Sequence, residues 1–285
     1  MRIILVVFSQ TGNTKKIARR IQKGIQKSSH SCEITSLKEA SSRQLNRFDI
    51  FGIGCPTFFY REPVNVRDFI RAIDEMPDKH AFIFCTHGSI MGNTLYYMAD
   101  ELQKKGLSVI GSFDTYADTS LQFYPEIMHT TGHPDEIELD AAEKFGEVIV
   151  DVSAQVRRGE RALPSFALTE DTWWARTSEK LTPDILRKYT PTLTINTTLC
   201  TECMLCQDNC PVDAINLDAR PPEIQREGCI FCWFCEKICP AGAIEADWSM
   251  MRDQSRRNLV KYIEILKEAE EQGTFRPYVD YEKIF

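Results

Sequence analysis

The sequence predicts an α/β chain in which a doubly wound, five-stranded parallel sheet is followed by a small α+β unit. Three observations carry this reading. Apolar runs alternate with amphipathic stretches through residues 1–157. A hydroxyl-rich loop follows the first apolar run, and eight of the eleven cysteines fall into two copies of one spacing beyond residue 199. Strands covered on both faces read as continuous apolar runs, and strands alternating with helices imply parallel pairing.

The first strand is expected at Arg2–Phe8. Its apolar part, Ile3–Phe8, is too short for a signal-peptide core, carries one flanking Arg and ends in a Thr-Gly-Asn turn. A weaker strand is expected near Cys32–Ser36, then strands at Asp49–Gly54, Ala81–Thr86 and Ser108–Asp114. Helices are expected between and after them at Asn13–Ser28, Val64–Asp74, Thr94–Lys105 and Asp135–Arg157. Open sheets of this kind bind ligands at the carboxyl ends of the strands, near the point where strand order reverses.

The loops at those ends are therefore where chemistry is sought. Ser9-Gln10-Thr11-Gly12-Asn13-Thr14 joins the first strand to the first helix. A helix start offers unpaired N–H groups and a positive dipole end to an anion, and the hydroxyls can bind phosphate without a lysine. N-capping alone also favours Ser and Thr at such a place. Cys55-Pro56-Thr57-Phe58-Phe59-Tyr60 follows the third strand, and the loop Thr86-His87-Gly88-Ser89-Ile90-Met91-Gly92-Asn93 follows the fourth. Gly52-x-Gly54 lacks a third glycine, Thr57 standing in its place, and lies at the wrong strand for a nicotinamide fingerprint. Cys32, Cys55 and Cys85 read as small buried apolar residues.

The strongest signal is the cysteine repeat. Cys200, Cys203, Cys206 and Cys210 precede Pro211, and Cys229, Cys232, Cys235 and Cys239 precede Pro240. Both runs read C-x2-C-x2-C-x3-C-P, a spacing that holds [4Fe–4S] clusters. Structural zinc sites use two separated pairs of ligands, and disulfide frameworks suit small secreted chains. The repeat extends past the cysteines: Cys210-Pro211-Val212-Asp213-Ala214-Ile215 is echoed by Cys239-Pro240-Ala241-Gly242-Ala243-Ile244. Short strands are expected beside it at Thr192–Asn196 and Ile215–Leu217.

Two resemblances follow from these residues. Pro191–Asp247 resembles a bacterial-type two-cluster ferredoxin. That resemblance implies that Cys200, Cys203, Cys206 and Cys239 hold one cluster, and Cys229, Cys232, Cys235 and Cys210 the other. The Ser9–Thr14 loop resembles the phosphate loop of flavodoxins and implies a flavodoxin-like sheet that holds FMN. Phe59 or Tyr60 would then be the aromatic wall of the flavin, and the glycines at 88 and 92 would let the backbone approach its ring. His87 on that loop is a proton-relay candidate weighed against an ordinary loop side chain. Together the two halves resemble the flavodoxin–ferredoxin fusion proteins of anaerobic bacteria and archaea, labelled EFR1-family ferrodoxins. The expected organisation is residues 1–157 flavodoxin-like, 158–190 connector, 191–248 ferredoxin and 249–285 a C-terminal helix and tail.

The remaining segments are read by composition. The loop Asp118–Pro134, with Leu121-Gln122-Phe123-Tyr124-Pro125 and His129…His133, is expected to lid the flavin or meet the ferredoxin part. Gly132 and Pro134 argue against a helix aligning the two histidines on a metal. Trp173-Trp174 in the connector implies packing between the halves. Arg252–Gln272 is expected as an exposed amphipathic helix (Leu259, Ile263, Leu266) ended by Gly273, and Phe275–Phe285 as a strap across a domain surface.

At 285 residues the chain is long enough for about two domains. A net charge of −7 argues against nucleic acid, and no apolar run reaches the length that spans a bilayer. A cytoplasmic address is expected. Between Cys200 and Asp247 nine acidic side chains (Glu202, Asp208, Asp213, Asp218, Glu223, Glu227, Glu236, Glu245, Asp247) stand against Arg220, Arg226 and Lys237, which leaves −6. Such a face attracts a basic redox partner. The expectation is an electron relay between two clusters and FMN, within one chain or across a homodimer. The alternative is a flavin-dependent reductase fed by its own ferredoxin part. No appended DNA-binding or signalling module is expected, which sets a redox-sensor role aside.

Overall fold

The computed structural model describes residues 1–119, 121, 124, 128–219 and 222–284. Gln122, Phe123, Pro125, Arg220 and Phe285, which figure in the sequence expectations, lie outside the described residues. Five strands pair in parallel in the order β2-β1-β3-β4-β5: β1 (Arg2–Val7), β2 (Ser31–Ser36), β3 (Ile50–Pro56), β4 (His80–His87) and β5 (Ser108–Tyr116). Strand order reverses between β1 and β3, which opens a crevice at their carboxyl ends. The fold is flavodoxin-like.

The alternation of side chains along β1 divides the core. Ile3, Leu5 and Val7 face α1 (Asn13–Lys27) and α5 (Glu136–Arg157), while Ile4, Val6 and Phe8 face α3 (Val64–Ala72) and α4 (Thr94–Lys104). A short α2 (Ser42–Leu45), which no apolar period announces, starts on a Ser41 cap whose hydroxyl accepts from the Gln44 N–H. β4 also runs past its apolar stretch. Thr86 and His87 continue the ladder opposite Thr115 and Tyr116, so His87 is a strand residue rather than a loop residue. Ladder hydrogen bonds belong to the backbone and need no apolar side chain to continue.

The connector forms α6 (Trp173–Lys180) and α7 (Pro183–Tyr189), capped by the hydroxyls of Thr172 and Thr182. The cysteine-rich unit then repeats one plan twice. β6 (Thr194–Ile195) pairs with β9 (Ile244–Glu245), and β7 (Ile215–Asn216) with β8 (Glu223–Ile224), both antiparallel. α8 (Leu205–Asp208) and α9 (Phe234–Ile238) sit in equivalent places within the two runs.

The two units dock closely. Ile230 is buried in the apolar cluster that α3 and α4 share with the sheet. Phe231, Trp233 and Trp248 pack with Phe59, Leu121, Tyr124 and Leu186. Lys38 Nζ meets Asp213 Oδ1 at 2.6 Å across the junction.

The last helix, α10 (Ser249–Glu271), corrects the expectation of a merely exposed helix. Leu259 and Ile263 pack with Met128 and Ile284, and Leu266 packs with Phe275. The tail straps the start of α5: Phe275 stacks on His133 at 4.4 Å between ring centroids, and Arg276 grips Asp135. Among the described residues, no helix is long and apolar enough to cross a membrane.

Candidate functional site

A cavity of about 580 Å³ lies where the carboxyl ends of β1, β3 and β4 face the cysteine-rich unit. Ser9, Gln10, Thr11, Asn13 and Thr14 line it after β1; Pro56, Thr57, Phe58, Phe59 and Tyr60 at β3; and Thr86, His87 and Gly88 at β4. Gly12, Gly92 and Asn93 are not among its lining residues.

The loop after β1 is held by its own side chains. The Ser9 hydroxyl accepts from the Lys15 N–H at 3.2 Å, and Asn13 Nδ2 donates to the Asp118 carbonyl at 3.3 Å. The buried hydroxyls of Thr14 and Thr86 lie 2.8 Å apart and tie the first loop to β4. Gly12 caps α1 at φ 96° with no side-chain cap hydrogen bond. The space where its Cβ would lie is open, so this glycine is required for its backbone angle and not for room. A phosphate here would meet the N–H groups and positive end of α1 together with Thr11. Ser9, Asn13 and Thr14 line the cavity and also tie the loop to α1, Asp118 and Thr86.

The aromatic loop after β3 is strained. Phe59 and Tyr60 take φ of 53° and 66°, a left-handed conformation that costs roughly 1–2 kcal/mol per residue. It turns Phe59 edge-on to Trp233 at 6.0 Å and Tyr60 edge-on to Trp173 at 5.7 Å. The Tyr60 hydroxyl meets that of Tyr262 at 2.6 Å. Gly92 and Asn93 support this loop instead of facing the cavity. A Cβ on Gly92 would lie 2.1 Å from the Tyr60 carbonyl oxygen, and the Asn93 N–H donates to that oxygen at 2.8 Å. The Asn93 side chain exchanges two hydrogen bonds with the Thr169 backbone in the connector. A Cβ on Gly88 would meet Thr119 Oγ1 at 2.5 Å, so its close approach is to the chain itself. His87 is also engaged: Nδ1 pairs with the Gly88 carbonyl at 2.8 Å and Nε2 with Asp114 at 3.2 Å. Both ring nitrogens thus face acceptors of the chain itself.

Much of the remaining lining comes from segments the flavodoxin-like sheet does not supply. Leu121, Tyr124 and His129 reach it from the 118–134 loop, Leu186 and Tyr189 from α7, and Met250, Met251 and Tyr262 from α10. His129 is buried and burial pushes its imidazole down to about 4, so it is neutral near pH 7. Its ring stacks on Tyr262 at 5.7 Å. Burial raises Tyr60 to about 12, and Tyr262 and Tyr124 further, so all three stay protonated. Ser89 Oγ and His129 Nδ1 are buried polar atoms without a hydrogen-bond partner in the cavity wall. Such orphans fit a site that receives a polar ligand.

The cysteines form two groups. Cys200, Cys203, Cys206 and Cys239 wall one hollow together with Ile195, Met204, Leu217 and Ile244. Cys229, Cys232 and Cys235 share one electrostatic neighbourhood with Cys210. In each group the last cysteine comes from the other run. The repeat in sequence is a repeat in backbone: Glu202 and Phe231, Met204 and Trp233, and Asp213 and Gly242 occupy equivalent positions and all have positive φ. The N–H groups of Ala214 and Ala243 each lie 3.2 Å from the sulfur of Cys210 and Cys239 respectively.

The sulfurs stand further apart than a single zinc ion holds them. Four sulfurs on one zinc lie about 3.8 Å apart, given a Zn–S bond of about 2.3 Å. Among the described residues no three cysteine sulfurs lie within 4.8 Å of one another. Burial pushes the Cys232 thiol up to about 11 and Cys235 further, so a cationic centre is needed to hold them as thiolates.

One group does crowd to that distance: His133, Asp135 and Glu138. Its members are fully engaged. His133 pairs with Glu138 at 2.7 Å and with the Arg276 carbonyl at 2.9 Å, Asp135 and Glu138 form the capping box of α5, and Arg276 and Tyr278 hold Asp135. It ties the tail to α5.

Two sequence families match the chain, in different places. One, described as a flavodoxin domain, spans residues 4–117, and the other, a 4Fe–4S dicluster domain, spans residues 199–243. The chain is a flavodoxin–ferredoxin fusion. Among solved structures it is similar to a flavodoxin from the domain Archaea, at 20% identity over 55% of this chain and 99% of that one, with a TM-score of 0.43. It is also similar to two-electron reduced Megasphaera elsdenii flavodoxin, at 17% identity over 52% of this chain and 98% of that one, TM-score 0.42. The flavodiiron protein from Giardia intestinalis is similar at 14% identity over 56% of this chain and 38% of that one, TM-score 0.41. No curated protein sequence matches. The fusion is a flavin and iron–sulfur electron-transfer protein, with FMN and 4Fe–4S iron as its cofactors.

Proposed function

We propose that this chain passes electrons between two [4Fe–4S] clusters and FMN, and on to redox partners. The observation that carries the reading is the position of Cys232, which lines the same cavity as the phosphate loop. A cluster ligand and the flavin cradle thus share one wall in one chain, which supports transfer within the chain. When bound, FMN takes up one or two electrons and each cluster passes one at a time.

The chain's own residues do the positioning. Phe59 and Trp248 each pack edge to face on Trp233, the residue next to Cys232, and so fix the ring beside that cluster ligand. The Gln10 amide stands beside the Cys232 sulfur, and hydrogen bonds to sulfur are one of the means by which a protein sets cluster potential. The other ligand set is more outward: Cys203 is exposed, and Leu199 and Leu205 beside it are 46% and 43% exposed. Eight of the nine acidic side chains between Cys200 and Asp247 are exposed, Glu236 alone turning in toward the Trp248 indole N–H at 2.8 Å. That face suits a basic redox protein, whose attraction weakens with salt.

Replacing Cys203 by Ala in cofactor-loaded protein should remove one ligand from the outer set. Flavin reduction by a reduced ferredoxin-type donor, followed by absorbance at matched FMN content, is then expected to slow. Flavin reduced at the original rate would sink the relay.

A second reading, a flavin-dependent reductase of a small organic substrate fed by the ferredoxin domain, is favoured by the roof of the cavity. Leu121, Tyr124 and His129 join α7 and α10 in lining the cavity above the strand ends, surface that a flavodoxin-like sheet alone does not supply.

A further inference from the structure

The lining of the roofed cavity limits what can enter beside FMN. Among the described lining residues there is no lysine and no arginine, and Asp118 is the one carboxylate. His129 is neutral, and the Cys232 thiolate of an assembled cluster adds negative charge to the wall. The one feature that favours an anion is the start of α1, where the FMN phosphate is expected. A second anionic ligand would be desolvated without a counter-charge, which costs several kcal/mol or more. The same lining offers the pyrophosphate of a nicotinamide dinucleotide no counter-charge.

What the roof offers instead is apolar surface with neutral hydrogen-bond donors. Leu121, Leu186, Met250 and Met251 supply the surface. The two methionines have unbranched, polarizable side chains that adapt to flat rings. Tyr60 and Tyr262 contribute a pair of hydroxyls 2.6 Å apart, and Tyr124 hydrogen-bonds to the same Tyr262 hydroxyl. Phenolic O–H groups donate well to a carbonyl oxygen, and a buried carbonyl needs such a donor.

We propose that the roofed part of this cavity binds an uncharged, planar carbonyl compound, its ring against Met250 and Met251 and its oxygen on the Tyr60–Tyr262 hydroxyl pair. The proposal rests on the second reading above and names the ligand class of that site.

The test uses oxidised protein loaded with FMN and clusters, titrated under anaerobic conditions and followed by calorimetry. Menadione, an uncharged planar quinone, is the probe, and 1,4-naphthoquinone-2-sulfonate is its anionic counterpart. Menadione should bind, and the sulfonate at least tenfold more weakly. Tyr262→Phe keeps the ring that stacks on His129 and removes the hydroxyl, so menadione should bind about fivefold more weakly. Met251→Trp fills the roof and should abolish menadione binding, with FMN content counted for each variant by absorbance. No menadione binding, equal affinity for the sulfonate, or affinity unmoved by both substitutions overturns the proposal. Flavin reduction by a ferredoxin-type donor is measured in parallel on the unsubstituted protein. Its absence would defeat the electron-transfer reading whatever the titrations give, so the two failures are told apart.

Discussion

Ile230 is the residue by which the ferredoxin domain enters the flavodoxin domain's core, and its truncation tests whether docking serves electron transfer. The side chain is 6% exposed and lies in the cluster formed by β1, β3, β4, α3 and α4. Ile230→Ala removes three methyl or methylene groups from that contact, about 2.4 kcal/mol at about 0.8 kcal/mol each. A void that does not collapse adds to this, within the range of about 2–5 kcal/mol usual for such truncations. The Lys38–Asp213 pair is exposed and offsets little of it, about 0–1 kcal/mol. A loss of 2.4 kcal/mol shifts a docking equilibrium by about fiftyfold. The assay is anaerobic stopped flow with a one-electron donor, reading cluster and flavin absorbance separately, together with thermal unfolding. Clusters should bleach as before while the flavin lags, and the unfolding midpoint should fall. Ile230→Val, which costs about 0.5–1.5 kcal/mol, should fall between. An unchanged midpoint with the flavin reduced at the original rate would refute the argument that this contact holds the cavity and Cys232 together.

Gly92→Ala places a Cβ 2.1 Å from the Tyr60 oxygen at φ 67°, and urea unfolding should show a loss of about 2 kcal/mol or more; a loss under about 0.5 kcal/mol would contradict the close approach. His129 is neutral in the fold because burial lowers it from 6.5 to about 4. The unfolded chain therefore binds the extra proton between these values, and stability present above pH 6.5 is lost as pH falls toward 4. Against His129→Phe, the unsubstituted protein should lose about 2–3 kcal/mol more between pH 7 and pH 4.5, and equal slopes would remove His129 as the cause. Gln10→Leu deletes the amide beside Cys232, and the potential of the cluster held there should fall by ~20–40 mV, the equivalent of about 0.5–1 kcal/mol. An unchanged or higher potential in an anaerobic titration would exclude that hydrogen bond.

The parts of the site written in consecutive residues were legible. Gly12 after an apolar strand and before a helix marks a positive-φ turn, and the cysteine spacing marks the cluster loops; both are consequences of local backbone geometry. The loop residues that hold one another were not. His87 reads as free until Asp114, 27 residues on, takes its ring, and Gly92 reads as a flavin contact until Tyr60 is found against it. Nothing in the residues around either position specifies a partner that distant.

The sequence by itself determined the five-strand alternation, the glycine turn between β1 and α1 and the eight cysteines as two runs of one spacing, because periodicity and spacing act over a few residues. Tertiary structure decided what surrounds them. α10 carries an apolar stripe at Leu259, Ile263 and Leu266 that any amphipathic helix would have. Only docking turned that stripe onto Met128, Ile284 and Phe275, and brought Met250, Met251 and Tyr262 over the strand ends. Trp173 and Trp174 announced packing without naming Tyr60 as its object. An apolar period specifies that a face is buried, while the partner of that face is selected by the packing of the whole chain.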